Sequence, residues 1–533
     1  MIRRGAISLD VVAASTVLAG MALVFGLALL PSGQPSSQAI APSTVLSPVT
    51  QPVVQSTVPP QYVGIGSGSC ATSNCHGGAG EPWNRSAFTF MQQDPHAQAF
   101  DVLFHDRSKL IVGRLMQLEN LGEEVDGSSV EFDLPTYQAQ LEKRCVSCHA
   151  SPLPLEIKDA DESLQHYTYG VSCEACHGPA SQWVNEHLSS GWKKSRSSAD
   201  KRAVGFNVLE DAKVAAETCV KCHIGSDGNP VVREVTHDLI AAGHPRLDFD
   251  FSAWYKSMPA HWDQSREQVA DFHTQNWVQG QAAALESRFG LAVSQQARGV
   301  SGLAPWPELA HFDCFACHHA LRYPSNYAAK LPPSKLPISF GGSWKVFENL
   351  NPESVRPFND RLAGVLSNQG NIEETTVSRP ALTAAQLARH LSAYSLSKRQ
   401  PANSNSSPAF RSWDEAVAWY YAADAVLRDA EFAAKESPQT EKSVEMQSLQ
   451  AMQVSLAALK DHLEGQLGGE SDESEATISR YASPRRFVPQ GIEVDSQASR
   501  RQQEMEAKLT AVRDALQAFW PQSPMGPTNV ETP

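Results

Sequence analysis

No cysteine in this 533-residue chain is left over: all ten fall into five pairs, and each pair is followed at once by histidine. That leaves no spare thiols for an independent disulfide framework. A basic excess is also lacking. The net charge is −14, which argues against nucleic acid as a partner and favours a basic protein patch. Strand signals are sparse. No flavin, nucleotide or molybdenum motif is present. Residues 371–522 contain no cysteine and only His390 and His462, which read as ordinary surface or core histidines.

The five pairs are Cys70/Cys75 before His76, Cys145/Cys148 before His149, Cys173/Cys176 before His177, Cys219/Cys222 before His223, and Cys314/Cys317 before His318. Four have the spacing Cys-x-x-Cys-His, the attachment signature of c-type haem. The thiols add to the haem vinyl groups, and the adjacent imidazole becomes the proximal iron ligand. Zinc ribbons and disulfides also use paired cysteines, but neither accounts for a histidine after every second cysteine. The first site is wider, with four residues between its cysteines. Haem is the leading reading there, with a disulfide or free thiols as alternatives. The expectation is five covalently bound c-type haems.

Attachment of such haem is completed outside the cytoplasm, so the chain should be exported. Arg3 and Arg4 precede an apolar run from Val11 to Leu30. About 20 residues span a bilayer as a helix, whereas a cleavable signal has an apolar core of about 7–15. A retained single-pass anchor is therefore favoured, with the bulk of the chain on the periplasmic or extracytoplasmic side. Cleavage near Ala39-Ile-Ala41 is the alternative.

The fold class expected is mainly α. Residues 1–30 read as anchor or signal, and 31–62 as a disordered linker rich in Pro, Ser, Gln and Thr. Residues 63–325 read as a pentahaem cytochrome c domain of short helices and long loops wrapped on the cofactors. Residues 326–370 read as an irregular connector, 371–522 as a helical bundle and 523–533 as a disordered tail. Two capping boxes are expected, at Thr383/Gln386 and Ser412/Glu415, each opening a helix. Leu449, Met452, Leu456, Leu459 and Leu463 form one apolar stripe at helical spacing. Met505, Leu509, Val512, Leu516 and Phe519 form another.

The sixth iron ligand separates electron transfer from chemistry, because an open position binds small molecules and a second histidine closes it. His96, His187, His237 and His244 are the distal candidates. His187 lies too near its own motif to cap that iron and should serve a neighbouring one. His237 and His244, seven apart, would share a helical face. His311 and His105 come next, ahead of His261, His273 and His319. His166, Tyr167 and Tyr169 either line an open iron or pack beside haem. Arg246 suits a haem propionate.

The segment Gly170-Val-Ser-Cys173-Glu-Ala-Cys176-His177-Gly-Pro, with His187 beyond it, resembles the signature of the cytochrome c-554 family. Asp94-Pro-His96-Ala-Gln-Ala-Phe resembles that family's distal-histidine segment. The resemblance spans roughly residues 64–320. It implies a mostly α haem domain, closely packed haem pairs, mostly bis-histidine iron and one haem lacking a distal protein ligand. The chain departs from the family pattern in its fifth site, its wide first motif and its large C-terminal part. It also lacks the Cys-x-x-Cys-Lys site of pentahaem nitrite reductases. The function expected is electron transfer between redox proteins, either other cytochromes or a membrane quinone-linked complex. The alternative is an oxidoreductase acting on a small nitrogen or sulfur species at one open haem. A third reading makes the C-terminal helices a scaffold within a respiratory complex.

Overall fold

The computed structural model describes residues 62–119, 134–152, 160–227, 232–247, 249–312, 343–367, 376–394, 409–436, 442–465 and 498–520. Val11–Leu30, the spacer that follows it, the fifth cysteine pair with His318 and His319, and the C-terminal tail lie outside these residues. Among the described residues there is no strand, only one isolated bridge between Ser226 and Arg233. No helix among them is long and apolar enough to cross a membrane.

Up to residue 267 the helices are short, mostly single turns to three turns. The longer ones here are α1 (Asp106–Glu119), α2 (Leu134–Arg144) and α3 (Ala212–His223). Three small apolar clusters hold this part together. Phe100, Val112, Tyr137 and Leu141 form one, Ala216, Val220, Phe249 and Phe251 a second, and Ala180, Trp183 and Trp192 a third. No cluster dominates this part of the chain.

The chain then changes character. Helix α4 (Phe272–Val300) runs 29 residues, far longer than expected for a loop-rich haem domain. Residues 343–366, expected as an irregular connector, are two helices, α5 (Ser343–Leu350) and α6 (Pro352–Leu366). Their prolines mislead. Pro352 occupies the first helical turn, where no N–H is needed. Pro357 sits inside α6 at the cost of one backbone hydrogen bond. Full burial of Val355, Phe358, Leu362 and Val365 offsets that cost.

Four more helices follow: α7 (Ala384–Ala393), α8 (Ala409–Glu436), α9 (Lys442–Gly465) and α10 (Ala498–Phe519). The stripe of α9 is buried from Leu449 to Leu463, and that of α10 from Met505 to Leu516, with Phe519 partly buried. Thr383 caps α7 through its capping box with Gln386. Ser412 does not open a helix. Helix α8 starts upstream at Ala409, and the Glu415 carboxylate accepts the hydroxyl of Tyr394. Helix α4 shares the core of α5 to α10, with Trp277, Val278 and Leu285 packed among Phe347, Leu387, Trp419 and Leu459.

Carboxylates exchanged across more than 100 residues lock this joint. Asp271 precedes α4 but does not cap it. It adopts left-handed backbone geometry (φ 62°), and its carboxylate accepts the N–H of Ala384 at the start of α7 at 2.7 Å. Helix α4 is capped instead by Asp429 of α8, which accepts from His273 N at 3.0 Å and Thr274 N at 2.8 Å. Asp429→Ala leaves both N–H groups buried and unmet. It is expected to cost about 2–4 kcal/mol of stability, seen as a lower denaturation midpoint. An unchanged midpoint would show that water or a neighbour replaces the cap.

Candidate functional site

In Cys-x-x-Cys-His the three reactive residues occupy i, i+3 and i+4, so one helical turn puts both thiols and the imidazole on one face. The structure supplies that turn at three sites. The second motif forms the turn Val146–His149, the third forms Cys173–His177, and the fourth ends α3. The wide first motif has no such helix. A tight loop closes it, with His76 N donating to Cys70 O at 3.2 Å and the Asn84 side-chain amide donating to Cys75 O at 2.7 Å.

Each of these four histidines faces a second histidine from elsewhere in the chain. Ring centroids are 6.2 Å apart for His76 and His187, and 6.4 Å for His149 and His244. They are 6.3 Å apart for His177 and His261, and 5.9 Å for His223 and His96. A first-row metal–imidazole bond is about 2.0–2.1 Å. Two rings ligating one iron from opposite sides therefore hold their centroids roughly 6 Å apart. Four pairs at that spacing, each beside two thiols, fit a haem iron between each pair.

In six of the eight paired rings a hydrogen bond at Nδ1 fixes the imidazole's orientation. Nδ1 pairs with a backbone carbonyl at His76 (Trp83 O, 2.7 Å), His149 (Ala99 O, 2.7 Å), His244 (Pro245 O, 2.8 Å) and His261 (Pro259 O, 3.3 Å). His187 uses Val184 O in the same way. His96 differs, because its Nδ1 lies 2.8 Å from the buried carboxylate of Asp94. Aromatic rings fill in around the pairs. Phe206 stacks on His177, Phe249 stacks on His223, and Trp254 lies 4.5 Å from the His223 ring. Burial, with His261 and His76 close by, depresses the His177 pKa to about 4. Its imidazole is thus held neutral, the form that ligates metal.

The sites are also close to one another. The thiol of Cys70 lies beside that of Cys173, and the thiol of Cys148 beside that of Cys222, each pair coupled electrostatically. Cys176 lies within electrostatic reach of Cys222 and Cys219. By these couplings the first site neighbours the third, the third neighbours the fourth, and the fourth neighbours the second. Burial pushes the Cys145 and Cys176 thiols up, to about 11 and about 12, so neither is a ready thiolate. The eight described cysteines form no disulfide, and no three His, Cys, Asp or Glu side chains among the described residues converge on a bare metal ion.

Of the histidines singled out in the sequence, His96, His187 and His244 belong to these pairs. His237 does not. It opens the helix His237–Ala242, and its backbone N–H donates to Glu308 at 2.8 Å. It shares no helical face with His244, because Gly243 (φ 121°) ends the helix between them. His261, ranked low in the sequence, is the partner of His177. His105 is exposed, whereas His311 is buried against the Gln295 side chain and His273 lies beside Arg428. His166 reaches Pro152 O at 3.2 Å, and Tyr167 packs on Phe100.

The family profile described as "Cytochrome c554 and c-prime" matches residues 69–178. Cytochrome c-554 of Nitrosomonas europaea is 29% identical over 96 residues, which cover 17% of this chain and 38% of that protein. No solved structure matches. The profile match covers the first three of the five cysteine–histidine motifs, and the alignment spans less than half the length of the Nitrosomonas protein.

Proposed function

We propose that this chain is a pentahaem c-type cytochrome that carries electrons between redox proteins outside the cytoplasm, tethered to the membrane by Val11–Leu30. The observation that carries the reading is the set of four facing imidazole pairs. Haem supplies a one-electron iron couple when bound. The first is held by Cys70, Cys75 and His76 with His187, and the second by Cys145, Cys148 and His149 with His244. The third is held by Cys173, Cys176 and His177 with His261, and the fourth by Cys219, Cys222 and His223 with His96. Cys314, Cys317 and His318 hold the fifth. His237 is its distal candidate, since the N–H of His237 is bonded to Glu308, six residues before Cys314.

Two strong-field nitrogens leave an iron no site for substrate, so the paired arrangement favours transfer over chemistry. The succession of neighbouring sites, first to third to fourth to second, supports a path for electrons from one haem to the next. The net charge of −14 favours partners with basic docking surfaces. Protein matured in a host with a haem-attachment system should carry five haem additions by mass spectrometry, with four bis-histidine low-spin irons by electron paramagnetic resonance (EPR). Two or more high-spin irons would sink the reading. Recovery of a mature N-terminus near residue 41 would remove the tether.

The backbone that presents His96 gives a sharper test. Val171 N donates to His96 O at 2.9 Å, and Gly170 beside it has φ 63°. A Cβ on Gly170 would lie 2.3 Å from His96 O. Gly170→Ala is thus expected to push the His96 segment away and raise the high-spin fraction at one iron, with haem count unchanged. Unaltered EPR spectra would show that the loop absorbs the methyl group.

A further inference from the structure

The His223/His96 pair differs chemically from its neighbours. Five other paired histidines place Nδ1 on a backbone carbonyl, a neutral acceptor. His96 places it 2.8 Å from Asp94 Oδ1, and the Asp94 side chain is only 3% exposed. The same oxygen accepts the backbone N–H of His96 at 3.0 Å. Ring and backbone are therefore fixed together on one buried anion. A carboxylate on the far nitrogen makes an imidazole a stronger electron donor than a carbonyl does, and it orients the ring. Stronger donation favours the oxidised iron. Low local dielectric strengthens the effect, because little water screens the charge.

From this contrast we infer that Asp94, acting through the His96 ring, sets the reduction potential of the haem at Cys219/Cys222 below the value a carbonyl-backed histidine would give. The fourth site lies between the third and the second, so its potential controls how readily charge crosses the middle of the wire. The inference rests on the proposal that His96 ligates the iron at His223, and its test separates the two.

The experiment uses the full, haem-loaded chain and two variants, titrated potentiometrically and followed by visible and EPR spectra. His96→Ala identifies the iron, since one low-spin signal should become high spin. Asp94→Asn keeps an acceptor oxygen of the same shape and removes the charge. It should leave the number of low-spin irons unchanged and raise the potential of the iron identified by His96→Ala. The expected rise corresponds to about a tenfold change in the ratio of reduced to oxidised haem, about 59 mV for one electron. In the unaltered protein, one low-spin signal should carry the signature of a strongly donating, histidinate-like ligand, and Asp94→Asn should erase it. If His96→Ala leaves every iron low spin, the ligation beneath the inference fails. If it yields high-spin iron but Asp94→Asn moves neither potential nor signature, ligation stands and the role of Asp94 is overturned. If Asp94→Asn itself produces high-spin iron, the carboxylate holds His96 in place and does not tune it, which also overturns the inference.

Discussion

Replacing His261 with alanine is expected to convert one iron from low to high spin while all haems stay attached. The His261 ring faces that of His177 at 6.3 Å. The thiols of Cys173 and Cys176, which hold the haem, are untouched by the change. Water is a weaker-field ligand than imidazole, so the iron changes spin when water takes its place. The newly open position should bind cyanide or nitric oxide, which the unaltered site would not. His261→Met, which keeps a ligand but softens it, should restore low spin and raise the potential, because thioether ligation favours reduced iron. The control is His273→Ala. His273 lies beside Arg428 and belongs to none of the four pairs, so its spectra should not change. If His261→Ala leaves every iron low spin, the third site takes its sixth ligand from elsewhere and the pairing geometry loses its authority.

His261 also shows where the sequence stops being informative. A proximal histidine is written into its motif because one helical turn delivers thiols and imidazole together, which makes the attachment sites legible at a glance. A distal histidine arrives from anywhere in the chain. Only tertiary packing brings His187 across to His76, or His244 to His149. Proline is one local signal: His96 follows Pro95, His244 precedes Pro245, and His261 stands two residues after Pro259. Proline stiffens the backbone beside the ligand, and in two cases its own carbonyl pairs with Nδ1. The helices α9 and α10 were legible for a different reason. Their apolar stripes repeat every three to four residues, and burial follows directly. Helix α6 was hidden by its prolines. Helix α8 begins one turn before the Ser412/Glu415 pattern, at Ala409, so residue type alone does not mark its start. The cross-capping of α4 by Asp429 has no sequence signal at all, since donor and acceptor are more than 150 residues apart.

The linear order of the sites makes the third one the weak point of the wire. It contacts the first through Cys70 and Cys173, and it approaches the fourth through Cys176, Cys219 and Cys222. The double change Cys173→Ala with Cys176→Ala should lower the haem count by one. It should also split what is left. The first haem should no longer equilibrate with the fourth and second on the timescale of the unaltered protein, so rapid reduction should become biphasic. Removing the second site with Cys145→Ala and Cys148→Ala is the matched control. That change also deletes one haem and one set of buried contacts, but at the end of the line. The haems at the first, third and fourth sites should then still equilibrate as one set. Both variants lose a cofactor that fills a loosely packed interior, so both should be less stable. Only the third-site change should divide the kinetics. If the two variants behave alike, the thiol contacts do not report the order of electron exchange and the line of sites must be redrawn. If the third-site variant alone splits, the order first, third, fourth, second is the path, and the haem tuned by Asp94 stands in the middle of it.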